Sequence, residues 1–317
     1  MNSVAPSDPY IEIDRLVCGS AFVPTETATR SCALQAAVKD RLPADSLCSA
    51  IVSALLPLRL AGPRVALFTG FVVPETFPIG ETDGPLGAAA LARALSRCGF
   101  AVEIHADPQV VDHMTWLAAE IGADVSVSPI PDVPPEGIAA SIDVAIAIEK
   151  PGMNSAGYMH DWSGRRIEAG SISIDALFVE LSVLGRLTIA IGDRGNEIGF
   201  GAIHDEILAL IPSAGRCSCG CGGGVAAITP ATLLYPAAVS NWGAYGVCAG
   251  LAIALKDPSL LLHPEEERRL LNVAAVRGCR DGLLKTAAFG VDGISGSTSM
   301  HVVRALHQLA NTELGSR

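Results

Sequence analysis

Two carboxylates, an amide and a guanidinium stand within five consecutive positions of this chain, at Asp193, Arg194, Asn196 and Glu197. Four glycines, Gly192, Gly195, Gly199 and Gly201, are interleaved with them. Carboxylates this close can pass protons to and from a substrate or share a cation. A guanidinium can hold a carboxylate through paired hydrogen bonds, and glycine lets the backbone turn tightly and approach a ligand. The competing reading is a solvated connection, but four hydrophilic side chains between glycines exceed what a connection requires.

Groups of the same kind recur along the chain. Glu81, Thr82 and Asp83 precede Gly84-Pro85, and Pro85 suits the first turn of a helix. These acids would meet the helix dipole, or line a site and bind an ammonium or a metal. Glu149-Lys150 follows the apolar run Ile142–Ile148. The loop continues through Asn154, Tyr158, His160, Asp161, Trp162, Arg165 and Arg166, a mixture that suits a lid or pocket wall. Ser240-Asn241 and Asp292 follow two further apolar stretches. Cys217, Cys219 and Cys221 alternate in a glycine-rich segment ending at Gly224. In extended chain they share a face and could hold Zn²⁺ with a fourth ligand such as His204. The two-residue gaps and second ligand pair usual in structural zinc sites are absent. A flexible loop of reduced thiols, binding an anion through its N–H groups, is the alternative.

The elements that must position these groups alternate between short apolar runs and helical periods. Ser31–Asp40 and Ala44–Leu58 predict helices, the second capped by Asp45 or Ser46. Val65–Phe68 predicts a buried strand, followed by a long loop to Gly84, a helix from Pro85 to Gly99, and a strand at Val102 and Ile104. A helix near 108–121, a strand near 124–128 and a Pro-rich connector at 129–135 follow. Further strands are expected at Ile142–Ile148, Leu187–Ile191 and Leu233–Val239. Helices are expected at Ser173–Leu184, Ala202–Ile211, Ala244–Leu255, Pro264–Arg277 and Ser299–Asn311. This alternation predicts a three-layer α/β/α fold with a mostly parallel, Rossmann-like sheet and a helical N-terminal layer. The expected division is a helical segment over 1–61 and an α/β domain over 62–317. Parallel strands would bring all the polar loops to one sheet edge, as the floor and walls of one acidic pocket.

Composition narrows the function. The chain has 317 residues, 50% hydrophobic and 17% charged, with 33 acidic against 22 basic residues and a net charge of −11. That balance and the lack of a Lys/Arg stripe exclude nucleic acid as an expected partner. Met1–Tyr10 lacks the basic segment and apolar core of a secretory signal. Nine cysteines, several inside apolar runs, fit reduced thiols and a cytoplasmic location. Mean hydropathy is +0.40, and Cys217–Leu255 contains no charge. However, Pro230, Pro236, Asn241, Gly243 and Gly246 interrupt that run, so no membrane span is expected. A homodimer is compatible with the composition.

Thr69-Gly70, Glu81-Thr-Asp-Gly-Pro-Leu-Gly87, Glu149-Lys-Pro-Gly152, Gly192-Asp-x-Gly-Asn-Glu-Ile-Gly199, Val239-Ser-Asn-Trp-Gly243 and Val291-Asp-Gly293 occur in one order. Together they resemble the D-glutamate cyclase-like (C-terminal-type) domain family, over about Gly62 to Leu309. The chain departs from the family pattern at Arg194, where glycine is usual, and in its three-cysteine loop. The resemblance implies a lyase that converts D-glutamate to 5-oxo-D-proline and water, with a small dicarboxylate as its substrate. Such a site must deprotonate an ammonium, help a carboxyl group lose water and hold the substrate folded. The expected catalytic groups are Asp193, Glu197, Asn196 and Asp83. Glu81, Thr82, Lys150, Tyr158, Arg194, Ser240, Asn241 and Asp292 are expected to contact substrate. Within that scheme Asp193 or Glu197 serves as base, Arg194 or Lys150 clamps a carboxylate, and Asn196 and Asn241 stabilise an oxyanion. Mg²⁺ or Ca²⁺ held by Asp83, Asp193 or Glu197 would share that task. Two readings from other classes remain: a non-catalytic sensor for an amino acid or nucleotide, and a metal or thiol protein centred on Cys217, Cys219 and Cys221.

Overall fold

A computed structural model describes residues 8–315. Residues 1–7, on which the expectation drawn from Met1–Tyr10 partly falls, lie outside the described residues. Six strands form one parallel sheet: β1 (Arg64–Thr69), β2 (Ala101–Ala106), β3 (Ser126–Pro129), β4 (Val144–Ile148), β5 (Leu187–Gly192) and β6 (Leu233–Pro236). Their spatial order is β3-β2-β1-β4-β5-β6. This is the doubly wound order, whose direction reverses between β1 and β4. The central strands β1, β4 and β5 are short, carry several Val, Ile and Ala residues, and are buried beyond their first residue, as expected where helices cover both faces.

Alternate residues divide the strands between two cores. Val65, Leu67, Val144, Ile146 and Ile148 face the larger core, while Ala66, Phe68, Ala145 and Ala147 face the smaller. On the larger side lie α1 (Pro9–Val17), α2 (Thr25–Lys39), α3 (Leu47–Leu55), α4 (Pro85–Arg97), α5 (Val111–Glu120), α9 (Ser240–Leu255), α10 (Pro264–Val276) and α11 (Gly296–Gly315). The smaller side is covered by α6 (Pro135–Ala139) and α7 (Asp175–Val183). A short helix, α8 (His204–Leu210), follows the glycine-rich loop, and a small hairpin of β7 (Gly290–Val291) and β8 (Ile294–Ser295) precedes α11. The N-terminal helices pack into the same larger core as the sheet. Asp14 accepts from the N–H groups of Leu47 and Cys48, and Gln35 donates to the carbonyl of Pro236 at 2.9 Å. Ser46, the second of the two capping candidates, caps α3 by accepting from Ser49 N–H at 3.2 Å.

Helix α9 starts four residues before the expected Ala244. Gly243, Gly246 and Gly250 lower its helical signal, yet each is needed for packing. A Cβ on Gly243 would lie 2.6 Å from Ile191, and one on Gly250 would lie 2.6 Å from the Cys48 sulfur. The central helix therefore approaches the sheet and α3 more closely than any side chain would permit. The strand expected at Leu233–Val239 ends at Pro236, and the connector expected at 129–135 leads into a short helix, α6. No helix among the described residues is long and apolar enough to cross a membrane.

Gly199 shows how tightly the loop after β5 is seated. Its φ is +98°, and a Cβ there would overlap the Cβ of Ala190. Gly199→Ala combines left-handed backbone strain with overpacking, and should cost about 2–4 kcal/mol. The urea midpoint measures this directly; an unchanged midpoint would show that the loop can shift without loss.

Candidate active site

The loops that leave β1 and β4 meet at the reversal point of the sheet. A Cβ on Gly84 would lie 2.8 Å from both the Cβ of Glu149 and the hydroxyl of Thr69. Two long-range caps fix this corner. Asp83 accepts from the N–H groups of Ser240 and Asn241, both at 2.8 Å, and so caps α9. Asn241 reciprocates: its Oδ1 accepts from Gly84 N–H at 3.0 Å and Gly87 N–H at 2.7 Å, while its Nδ2 donates to the carbonyl of Thr82. Each helix thus receives its N-terminal partner from the loop that starts the other.

Around these caps gather Glu81, Asp83, Glu149, Asp193, Glu197 and Asp292, all buried. Ligand oxygens of Asp83, Asp193 and Asp292 lie within 4.8 Å of one another, as do those of Glu149, Asp193 and Glu197. Asp193 is common to both groups. It is fully buried, and neither of its carboxylate oxygens has a hydrogen-bond partner. Its nearest cation is Arg194, whose Nε lies 3.5 Å away and whose other arm donates to Asp292 at 2.8 Å. Ser240 donates its hydroxyl proton to Glu149 at 2.5 Å.

Burial and mutual repulsion raise the proton affinity of these acids. Burial holds Asp193 well above the usual carboxylate range in spite of Arg194. Burial and then Asp292 push Asp83 up to about 8, against the lowering effect of its backbone N–H donors. Glu149 is raised by burial, then Glu197 and Asp193, and Glu81 by burial, then Asp292 and Asp83. Glu149 and Asp292 also adopt left-handed backbone, with φ of 48° and 50°. Non-glycine residues reach that region at a cost and cluster at functional sites.

Several expected site residues have other partners. Glu197 accepts from three N–H groups, those of Asp193, Arg194 and Gly195 at 2.6–3.0 Å, and so folds the loop that carries Asp193. Asn196 donates one N–H to the carbonyl of His160, and Asn241 donates one to Thr82 while its oxygen caps α4. Lys150, expected to clamp a substrate, is fully buried and donates to both oxygens of Asp107 at 2.7 Å. Burial drives these two partners toward their neutral forms, Asp107 up and Lys150 down, while their bidentate contact opposes it. Tyr158 lies apart, stacked under the guanidinium of Arg166 at 3.6 Å. Thr82 supplies backbone, accepting from Asn241 and donating its N–H to Arg280. Glu149, placed with Lys150 at the carboxyl edge by its position directly after a strand but given no role in the expected site, joins the acidic cluster.

The cysteine loop forms a separate cluster. Cys217, Cys219 and Cys221 gather around His160, with all ligand atoms within 4.8 Å of one another. His204, the expected fourth ligand, instead faces the carbonyl of Ala227 at 3.1 Å.

Fold and site together define a doubly wound α/β protein with a buried acidic site at its strand-order reversal. The chain belongs to the D-glutamate cyclase-like, C-terminal family, whose model matches residues 26–307. Human mitochondrial D-glutamate cyclase is 27% identical over 212 residues, which cover 60% of this chain and 32% of that protein. The chain thus corresponds to about a third of this curated relative's length.

Proposed function

We propose that this chain closes D-glutamate into 5-oxo-D-proline with release of water. The observation that carries the reading is Asp193, a fully buried carboxylate with no hydrogen-bond partner at either oxygen, set among further acids. A ligand ammonium is suited to this surplus of carboxylates, and the name of the human relative supports glutamate as its bearer. Closure forms a bond from the α-nitrogen to the carbon of the side-chain carboxyl and breaks one of that carboxyl's C–O bonds. Two protons leave the ammonium, and the departing oxygen takes up two to become water. The net reaction therefore needs a group that accepts and returns protons. Asp193 fills that role: burial favours its protonated form, and the lack of fixed donors leaves both oxygens free for substrate. Asp83, Glu81 and Glu149 surround the ammonium, and Arg194 takes a substrate carboxylate in exchange for Asp292. Glu197 holds the loop through its backbone bonds. The acids are buried in this structure, and Gly282 lies against Glu81 and Asp292, so we assign substrate entry to an opening of the segment 281–293.

A second reading rests on the same unpartnered oxygens. A divalent cation held by Asp83, Asp193 and Asp292 would neutralise the site and polarise the carboxyl group, and hard oxygen donors suit Mg²⁺ or Ca²⁺. Dialysis against chelator followed by Mg²⁺ or Ca²⁺ restoration separates the two: proton transfer alone predicts activity without added cation.

Incubation of the purified chain with D- and L-glutamate, followed by chiral chromatography of 5-oxoproline, tests the function. Product is expected from the D-isomer, and hydrolysis of 5-oxo-D-proline supplies the reverse assay. No product in either direction, together with thermal stabilisation by D-glutamate, would replace the enzyme with a binding protein.

A further inference from the structure

We propose that Cys217, Cys219, Cys221 and His160 hold one zinc ion, which fastens the 217–224 loop to the loop that follows β4. Nε2 of His160 lies 3.2 Å from the Cys219 sulfur and 3.8 Å from that of Cys221. The Cys217 sulfur lies 3.4 Å from Cys221 and 3.6 Å from Cys219. Tetrahedral zinc with ordinary bond lengths gives edges of about 3.8 Å between sulfurs and about 3.5 Å between sulfur and nitrogen. Four of the six edges are thus close to those of that tetrahedron, and the remaining two are within 4.8 Å. Three thiolates and an imidazole are soft or borderline donors, which select zinc over Mg²⁺ or Ca²⁺.

The surroundings of the cluster support the same assignment. Nδ1 of His160 faces the carbonyl of Tyr158 at 3.2 Å. A carbonyl can only accept. Asn154 Nδ2, 3.4 Å from Nδ1, has nearer acceptors in the Gly224 carbonyl at 2.7 Å and the Cys221 sulfur at 3.3 Å. The ring proton is therefore assigned to Nδ1 and the Nε2 lone pair to the cysteines. This is the usual outer-sphere arrangement of a metal-bound histidine. The Cys221 sulfur accepts from Asn154 Nδ2 at 3.3 Å and from Gly223 N–H at 3.5 Å, bonds that stabilise a thiolate. A side chain at Gly223 would strike Asn154, its Cβ falling 2.7 Å from Nδ2. The glycines that made this segment look flexible therefore permit its close approach. Cys219 is exposed and offers a path for the metal.

The ion would act at a distance on the acidic site. His160 accepts at its carbonyl from Asn196, in the loop that carries Asp193. Ser218 donates its N–H and its hydroxyl to the carbonyl of Gly164 at 2.9 and 2.8 Å. The ion would thus close a set of contacts that presses the 150–166 loop against the glycine-rich loop after β5.

Elemental analysis of the full chain, purified with its thiols reduced, should give one zinc per molecule. Co²⁺ exchanged for it should show the visible bands of tetrahedral cobalt and thiolate-to-cobalt charge transfer. His160→Gln and Cys219→Ser should each lose the stoichiometric metal and weaken zinc binding by at least about 100-fold, exceeding the loss typical of outer-sphere changes. Cys32→Ser, at an exposed thiol elsewhere, and Asp193→Asn should both keep the metal and the cobalt spectrum. Removing zinc should speed amide exchange at Gly164 and Ile167 and leave Gly87 unchanged. A reduced wild-type chain that takes up neither zinc nor cobalt at these thiols would overturn the proposal. So would full metal retention in both ligand variants, or a Cys217–Cys221 disulfide in the natively purified protein.

Discussion

Asp193→Asn is expected to lower kcat/KM for D-glutamate by about 10²–10⁴-fold, the range for removing a positioned acid–base group, while the melting temperature rises. The two effects share a cause. Asp193 is buried without a hydrogen-bond donor, so the folded chain holds its proton more tightly than the unfolded chain does. For such a group stability is highest below the unfolded value of about 3.9 and falls as pH rises toward the folded value. The wild-type melting temperature should therefore decline from acid toward neutral pH. The asparagine variant should decline less steeply, with the remaining slope due to Asp83, raised to about 8, and to Glu81 and Glu149. Calorimetry across that range, paired with the chiral product assay, reads both. Wild-type turnover in the variant would remove Asp193 from the chemistry. A lower melting temperature would show that its carboxylate stabilises the fold.

Lys150→Met should be the most destabilising single change near the site, costing about 3–5 kcal/mol because Asp107 is left buried without its counter-charge. At roughly 2–4 °C per kcal/mol, the melting temperature should fall by roughly 6–20 °C. Asp107→Asn added to Lys150→Met should recover much of the loss, since it removes the orphaned charge and keeps an acceptor for Ile172 N–H. If Lys150 instead clamps substrate, the single variant will stay stable and raise KM. Circular-dichroism melts of the four members of the cycle, with steady-state kinetics, separate these outcomes.

The sheet and most helices were legible in sequence because their signals are local. Five-residue apolar runs, Pro85 at a helix start and the acid-to-base gradient of α10 require no knowledge of distant contacts. Of the acids gathered at the site, Asp193 was legible for a related reason: it follows the buried strand β5 directly, and parallel strands send such residues to one edge. Asp83, by contrast, comes from the long loop after β1, and Asp292 from the turn of the β7–β8 hairpin. What was not legible depends on pairing. Asn241 and Lys150 carry chemistry that suits a substrate, yet Asn241 is consumed as a cap and Lys150 as an ion pair. Nothing near Lys150 in sequence points to Asp107, 43 positions earlier. In sequence His160 is one polar residue among several in a loop, and only folding brings it to cysteines about 60 residues away. The start of α9 was obscured because its glycines answer to neighbours on β5, α1 and α3 and not to helix propensity.

The reciprocal caps also bear on the order in which the molecule can be completed. Asp83 and Asn241 are separated by 158 positions, and each supplies the hydrogen bonds that begin the other's helix. As the chain emerges during synthesis, the first turn of α4 lacks its acceptor until Asn241 has been made. The acids of the first half therefore cannot take their final places while the second half is missing. The site can be completed only once Asn241 has been made, and a fragment ending before it would carry Glu81, Asp83 and Glu149 without the framework that holds them together.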